Sequence, residues 1–205
     1  QFANTELPRS PFISALITQT TGDPVLGARL VNSQGKQVGF GATEGERAGD
    51  LAQGSSLRLA HRDIISGAVL ECGQMLAISN PSVEEWTLEL NGWRTGTFDV
   101  SVVIPATSQT YKMFAWSGIQ ITQGGKYRIR FKPLSLSSNL YLEEYRTNGW
   151  EATHVTAVTV LNQPPPRVVG VIQVTPTVVA GGDKYGRLIG VLFSKPMSKA
   201  QAETL

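Results

Sequence analysis

Apolar and polar residues alternate along much of this chain with a period of two, the period that puts successive side chains on opposite faces of a strand. The run Lys126-Tyr127-Arg128-Ile129-Arg130-Phe131-Lys132 is the clearest. It assigns Tyr127, Ile129 and Phe131 to a core face and the basic residues to water. Thr97 to Val102 alternates through Phe98, Val100 and Val102, and Glu85 to Leu90 through Trp86, Leu88 and Leu90. His154 to Leu161 is rich in Val and Thr, a strand composition. Between these runs stand turn signals. Asn91-Gly92 and Asn148-Gly149 suit tight hairpins, whose two central positions need positive φ, and Gly124-Gly125 and Gly181-Gly182 serve the same purpose. Strands recurring every roughly 8–15 residues have the rhythm of a sandwich or jelly roll.

Helical signals are few. Glu44 to Gln53 predicts a turn or two of helix, weakened by its glycines. Ser198 with Gln201 forms a capping-box pattern before Leu205, which predicts a short C-terminal helix. The expected fold is therefore all-β, a β-sandwich or jelly roll with a short C-terminal helix. Gln163-Pro164-Pro165-Pro166 cannot sit inside a strand ladder, because three consecutive residues lack an N–H donor. The segment 163–166 reads equally as a stiff linker or a rigid surface loop. It separates a β-sandwich region over residues 1–162 from further strands within 167–205.

Composition supports many short strands. Charged residues make up 17% of the 205, against a usual value of about 25%, and the chain carries 21 Gly and 11 Pro. The net charge of +2 comes with no polybasic run, so no nucleic-acid site is evident. Apolar runs such as Val168–Ile172 fall far short of the ~20 residues a membrane-spanning helix needs. Cys72 is the single cysteine, which excludes an internal disulfide. No signal peptide is visible, and the start at Gln1 predicts a chain processed or cut from a longer one.

Candidate chemistry is sparse. A nucleophilic site needs Cys72 or a Ser beside a histidine and an orienting acid, yet the histidines are only His61 and His154 and no G-x-S-x-G elbow occurs. Cys72 follows the apolar stretch Gly67 to Leu70 and reads as a small packed side chain. Two histidines and one cysteine do not make a zinc site. Glu143-Glu144 and Glu84-Glu85 are adjacent pairs, and adjacent strand residues face opposite ways, so neither reads as an acid/base pair. Gly39, Gly41 and Gly45 lack the strand–turn–helix setting of a phosphate loop. The expectation is a protein that is not an enzyme and uses no metal or cofactor. Four tryptophans remain. Trp86 alternates with Leu88 and Leu90 and is assigned to the core. Trp93, Trp116 and Trp150 are the candidate ligand-binding residues, an aromatic platform for sugar rings or a partner surface, with Trp93 and Trp150 directly after Asn-Gly turns.

Several stretches resemble known families. Pro165-Pro166-Arg167-Val168-Val169, Val174-Thr175-Pro176 and Gly190-Val191-Leu192-Phe193-Ser194-Lys195-Pro196-Met197 together resemble the opening of a bacterial Ig-like domain. Gly22-Asp23-Pro24-Val25-Leu26-Gly27-Ala28 resembles a strand of the carboxypeptidase regulatory-like sandwich, and Trp86 to Trp150 is similar to carbohydrate-binding jelly rolls. These resemblances imply a secreted or cell-surface module with a structural, adhesive or glycan-binding role in a larger assembly, with other protein chains and carbohydrate as partners. A full Ig-like domain has about seven strands. The two seen here imply completion of the sheet by strand addition from another chain or from the preceding region. A rival resemblance is to the jelly-roll coat proteins of small plant viruses, carried by Leu57 to Ile65, Asn80-Pro81-Ser82, Phe98 to Pro105 and Lys184 to Phe193. It implies a self-assembling capsid subunit in a virion, with a basic RNA-binding arm ahead of residue 1.

Overall fold

The period-two runs become the strands of two facing antiparallel sheets. The computed structural model describes residues 11–19, 23–62, 68–107, 110–136, 139–155, 157–161, 168–174 and 188–193. Among these residues the protein is all-β. The chain divides into two units, Ser10–Gln163 and one that contains residues 164–205.

In the larger unit a six-stranded sheet has the order β13 (Ala157–Leu161), β9 (Tyr111–Ile121), β8 (Gly96–Pro105), β1 (Phe12–Gln19), β6 (Val69–Ser79), β5 (Gly54–Arg62). A seven-stranded sheet has the order β12 (Gly149–Val155), β11 (Tyr141–Arg146), β10 (Lys126–Phe131), β7 (Trp86–Gly92), β2 (Leu26–Asn32), β3 (Gln37–Phe40), β4 (Arg47–Gly49). The other unit contributes one antiparallel hairpin, β14 (Val168–Val174) with β15 (Leu188–Phe193). Both strands lie within the stretch 167–205, where further strands are expected.

Alternation explains the core. Ile13, Ala15 and Ile17 of β1 and Phe98, Val100, Val102 and Ile104 of β8 face inward from one sheet. Trp86, Leu88 and Leu90 of β7 and Tyr127, Ile129 and Phe131 of β10 face inward from the other. Enclosing each large side chain stabilises the sandwich by about 1.5–3 kcal/mol.

Two bulges interrupt the six-stranded sheet, and the first re-aims side chains toward this core. Between Phe98↔Ile119 and Val100↔Trp116, the residues Ser117 and Gly118 oppose Asp99 alone. Gly118 takes φ 69°, and its N–H donates to Asp99 Oδ1 at 2.7 Å. The extra residue lets Trp116 and Ile119, three apart, both point inward. On β6, Cys72 is the extra residue between Leu59↔Gly73 and Ala60↔Glu71. It is half-buried there.

The sheets are also joined by a buried amide. Gln74 of β6 accepts the N–H of Ala28 at 2.9 Å and donates to Leu26 O at 2.6 Å. The pairing of β2 with β3 begins at Arg29↔Gly39, so Gln74 supplies the hydrogen bonds β2 needs just before it.

Several expectations are corrected. Glu44 to Gln53 contains no helix: β4 returns against β3, closed by Gly41 N–H donating to Glu46 O at 2.9 Å, with Gly45 at φ 91°. Charge and glycine in this stretch serve a turn. Asn91-Gly92 ends β7 instead of turning, because Gly92 N–H donates to Gly125 O and Gly92 O accepts from Gly124 N–H, each at 2.8 Å. The turn there is 122–125, closed by Gly125 N–H to Thr122 O at 2.9 Å, with Gly124 at φ 77° as a type II turn requires. His154 to Leu161 is two strands, β12 and β13, in different sheets. The predicted C-terminal helix, the polyproline segment and Gly181-Gly182 lie outside the described residues.

Candidate functional site

The outer face of β10, β11 and β12 carries a group of charged and aromatic side chains. Its geometry follows from register. Arg29 lies opposite Glu89, Glu89 opposite Arg128, and Arg128 opposite Glu143, so charge alternates across β2, β7, β10 and β11. Arg29 Nε donates to Glu89 at 2.7 Å. Glu143 receives Arg128 Nε at 2.5 Å on one oxygen and Arg130 Nη2 at 2.8 Å on the other. Partial burial disfavours the charged form of Glu143. The hydrogen bonds from Arg130 and Arg128, with their charges, outweigh it and hold the carboxyl below the usual carboxylate range. A carboxylate so held stays ionised and positions the two arginines; it is a poor proton donor.

The next row along these strands is aromatic. The β11–β12 hairpin turns at Thr147-Asn148 and sets Tyr145 opposite Trp150. Their rings meet edge to face at 5.3 Å. Arg128 Cζ lies 4.1 Å from the Trp150 ring centroid, and Lys126 Nζ lies 5.9 Å from that of Tyr145. The arginine orients the indole while its own charge is met by Glu143. Tyr145 is 53% exposed and Tyr141, on the same face of β11, is 44% exposed. Such a face offers flat rings for stacking and donors at its margin for hydrogen bonds.

Of the three candidate tryptophans, only Trp150 is on this surface. The exposure expected for Trp93 and Trp116 is corrected: they are 6% and 4% exposed and belong to the core. Trp93 follows the end of a strand, not a turn, and its ring packs beside Gly27 and donates from Nε1 to Gly41 O at 3.2 Å. Arg58 lies over both Trp93 and Phe40, at 5.4 and 5.1 Å from their ring centroids, and pairs with Glu71 at 3.0 Å. Trp116 is turned inward by the bulge and lies near Phe114 with centroids 6.5 Å apart. Tyr145, Tyr141, Lys126 and Arg128 take the places expected for tryptophans. Their signal was the spacing Tyr141-x-Glu143-x-Tyr145, which puts all three on one strand face.

Other candidates stay apart. Glu143 and Glu144 face opposite ways, as adjacent strand residues do, and Glu144 accepts from Arg146 at 2.8 Å. Glu84 and Glu85 lie in the loop before β7, and hydrogen bonds from the Ser33 and then the Ser82 hydroxyl hold the Glu84 carboxyl low. The side chains of His61 and His154 lie outside the described part. A hollow of ≈ 80 Å³ on the outer face of the six-stranded sheet is lined by Leu16, Asp99 and Ser117 among others, with Asp99 already bound by Gly118. Among the described residues, no three His, Cys, Asp or Glu gather to hold a metal ion, and no helix is long and apolar enough to cross a membrane. Comparison with known proteins gives no match to a family model, a curated protein or a solved structure.

Proposed function

We propose that this chain is a non-enzymatic β-sandwich module that binds glycan on the outer face of β10–β12 and forms part of a larger extracellular or cell-surface assembly. The observation that carries the reading is the exposed Tyr145 ring held edge-on to Trp150, with Arg128 fixed on the indole and Lys126 beside the phenol. A sugar ring presents a flat C–H face that stacks on such rings, and its hydroxyls reach side chains at the rim. Arg128 is restrained by Glu143 and Trp150 before any ligand arrives, which lowers the cost of ordering the site. The secreted setting rests on the module resemblances in the sequence. The test is a glycan array probed with the full chain, with Tyr145→Ala and with Trp150→Ala. The reading expects binding that both substitutions reduce by at least about tenfold, the scale of one lost stacking contact. Binding unchanged in both variants would remove the platform from the account.

A second reading, a self-assembling capsid subunit, is favoured by the opposite surface. Leu57, Met75, Leu16, Ser101 and Ala115 stand in one row across β5, β6, β1, β8 and β9. Leu57 is 57% and Leu16 38% exposed in that uncharged row. Large exposed apolar side chains in a row are a feature of association surfaces. Light scattering separates the readings: a shell gives a particle of megadalton order, whereas a mass near 22.1 kDa excludes it.

A further inference from the structure

The chain contains the dipeptide Asn-Gly twice, and the fold treats the two copies differently. We propose that Asn148 is a site of spontaneous covalent modification, in which its side-chain amide is converted to aspartate and isoaspartate, while Asn91 is protected. In the reaction the main-chain nitrogen of Gly149 attacks Cγ of Asn148. A bond forms between that nitrogen and Cγ, the Cγ–Nδ2 bond breaks, and Nδ2 leaves as ammonia with the proton the attacking nitrogen gives up. Water then opens the cyclic imide at either carbonyl, giving aspartate or isoaspartate. The chemistry needs an accessible carboxamide, a following residue without a side chain to block the approach, and a backbone free to bend.

Asn148 meets all three conditions. It is exposed, in the two-residue turn between β11 and β12. Gly149 has φ 124°, and nothing lies within 4 Å of where a Cβ would be, so no neighbouring group hinders a change of backbone angle. Gly149 pairs with Arg146 at the closed end of the hairpin, and β12 borders the sheet, so opening this last pair costs only local contacts. Asn91 shares the following glycine but lacks the other two conditions. It is buried in β7, paired with Gly27 on one side and Lys126 on the other. The nitrogen that would attack it, Gly92 N, donates to Gly125 O at 2.8 Å.

The product bears on the neighbouring aromatic pair. Isoaspartate routes the main chain through an extra methylene, which a two-residue turn cannot absorb without shifting Tyr145 from Trp150. The new carboxylate also joins Glu144 and Glu151, which already share Arg146. Any consequence for a ligand rests on the proposed glycan reading; the modification itself does not.

The experiment holds the full chain, folded and in urea, at mildly alkaline pH and follows tryptic peptides by mass spectrometry. Isoaspartate is scored by enzymatic methylation. In the folded chain the peptide carrying Asn148 should gain one dalton and become methylatable at least about tenfold faster than the peptide carrying Asn91. In urea the two rates should converge. Gly149→Ala should slow the reaction at Asn148 in both conditions. Equal rates at the two sites in the folded chain, or a folded Asn148 that is inert while the unfolded one reacts, would overturn the proposal. The readout is chemical, so absence of glycan binding leaves it untouched.

Discussion

Gln74 accepts the main-chain N–H of Ala28 at 2.9 Å, so a side chain of one sheet completes the hydrogen bonding of a strand in the other. The same carboxamide donates to Leu26 O at 2.6 Å. Replacing it with leucine leaves two buried main-chain groups without partners, each costing about 1–3 kcal/mol. Gln74→Leu should therefore lose roughly 2–6 kcal/mol of stability in urea unfolding, despite its greater hydrophobicity. A variant as stable as the parent would show that the amide bridge contributes nothing.

Arg128 and Trp150 should be energetically coupled. Stacked and half-buried as they are, a double-mutant cycle with Arg128→Ala and Trp150→Phe should give a coupling of about 0.5–1 kcal/mol in denaturant unfolding. Additive effects would mean that the guanidinium is held by Glu143 alone.

Gly27 makes room for Trp93. A Cβ at residue 27 would lie 2.5 Å from Trp93 Cζ2, and the indole cannot retreat without giving up its bond to Gly41 O. Gly27→Ala should cost about 1–3 kcal/mol, as overpacking does, and change the near-ultraviolet dichroism of the tryptophans. An unaltered spectrum with full stability would contradict this packing.

Tyr127 should ionise late. Burial, then the charge of Glu144, pushes its hydroxyl up to about 12, while the group donates to Gln120 O at 2.9 Å. The folded value lies above the ordinary 10.0, so the protonated phenol favours folding. That contribution is complete below pH 10 and is lost as the pH rises toward 12. Tyrosinate absorbance should show a component near pH 12 that Tyr127→Phe lacks. The variant should also lose less stability than the parent over that interval.

The sandwich was largely legible because alternation names a face for each strand residue. Tyr127, Ile129 and Phe131 and the row Trp86, Leu88, Leu90 face the core as their spacing requires. What alternation could not give was the partner strand. Val155 ends β12 and Ala157, two residues on, begins β13 in the other sheet, a change that no local pattern marks. Bulges were also hidden, since nothing local marks Cys72 or Gly118 as an inserted residue, and so the inward turn of Trp116 was missed. At the candidate site, reading tryptophan as the binding aromatic selected Trp93 and Trp116, whose size is used to fill the core. The pair Tyr145 and Trp150 needed the hairpin register, which the turn at Thr147-Asn148 fixes.

The central claim is that ligand binds on the outer face of β10–β12. Main-chain amide exchange of the full chain, with and without the tightest-binding arrayed oligosaccharide, tests it directly. The account predicts slowed exchange confined to β10, β11 and β12 around Lys126, Tyr145 and Trp150, and no such slowing in Tyr145→Ala. Protection centred instead on the six-stranded sheet, around Leu16 and Leu57, would contradict it.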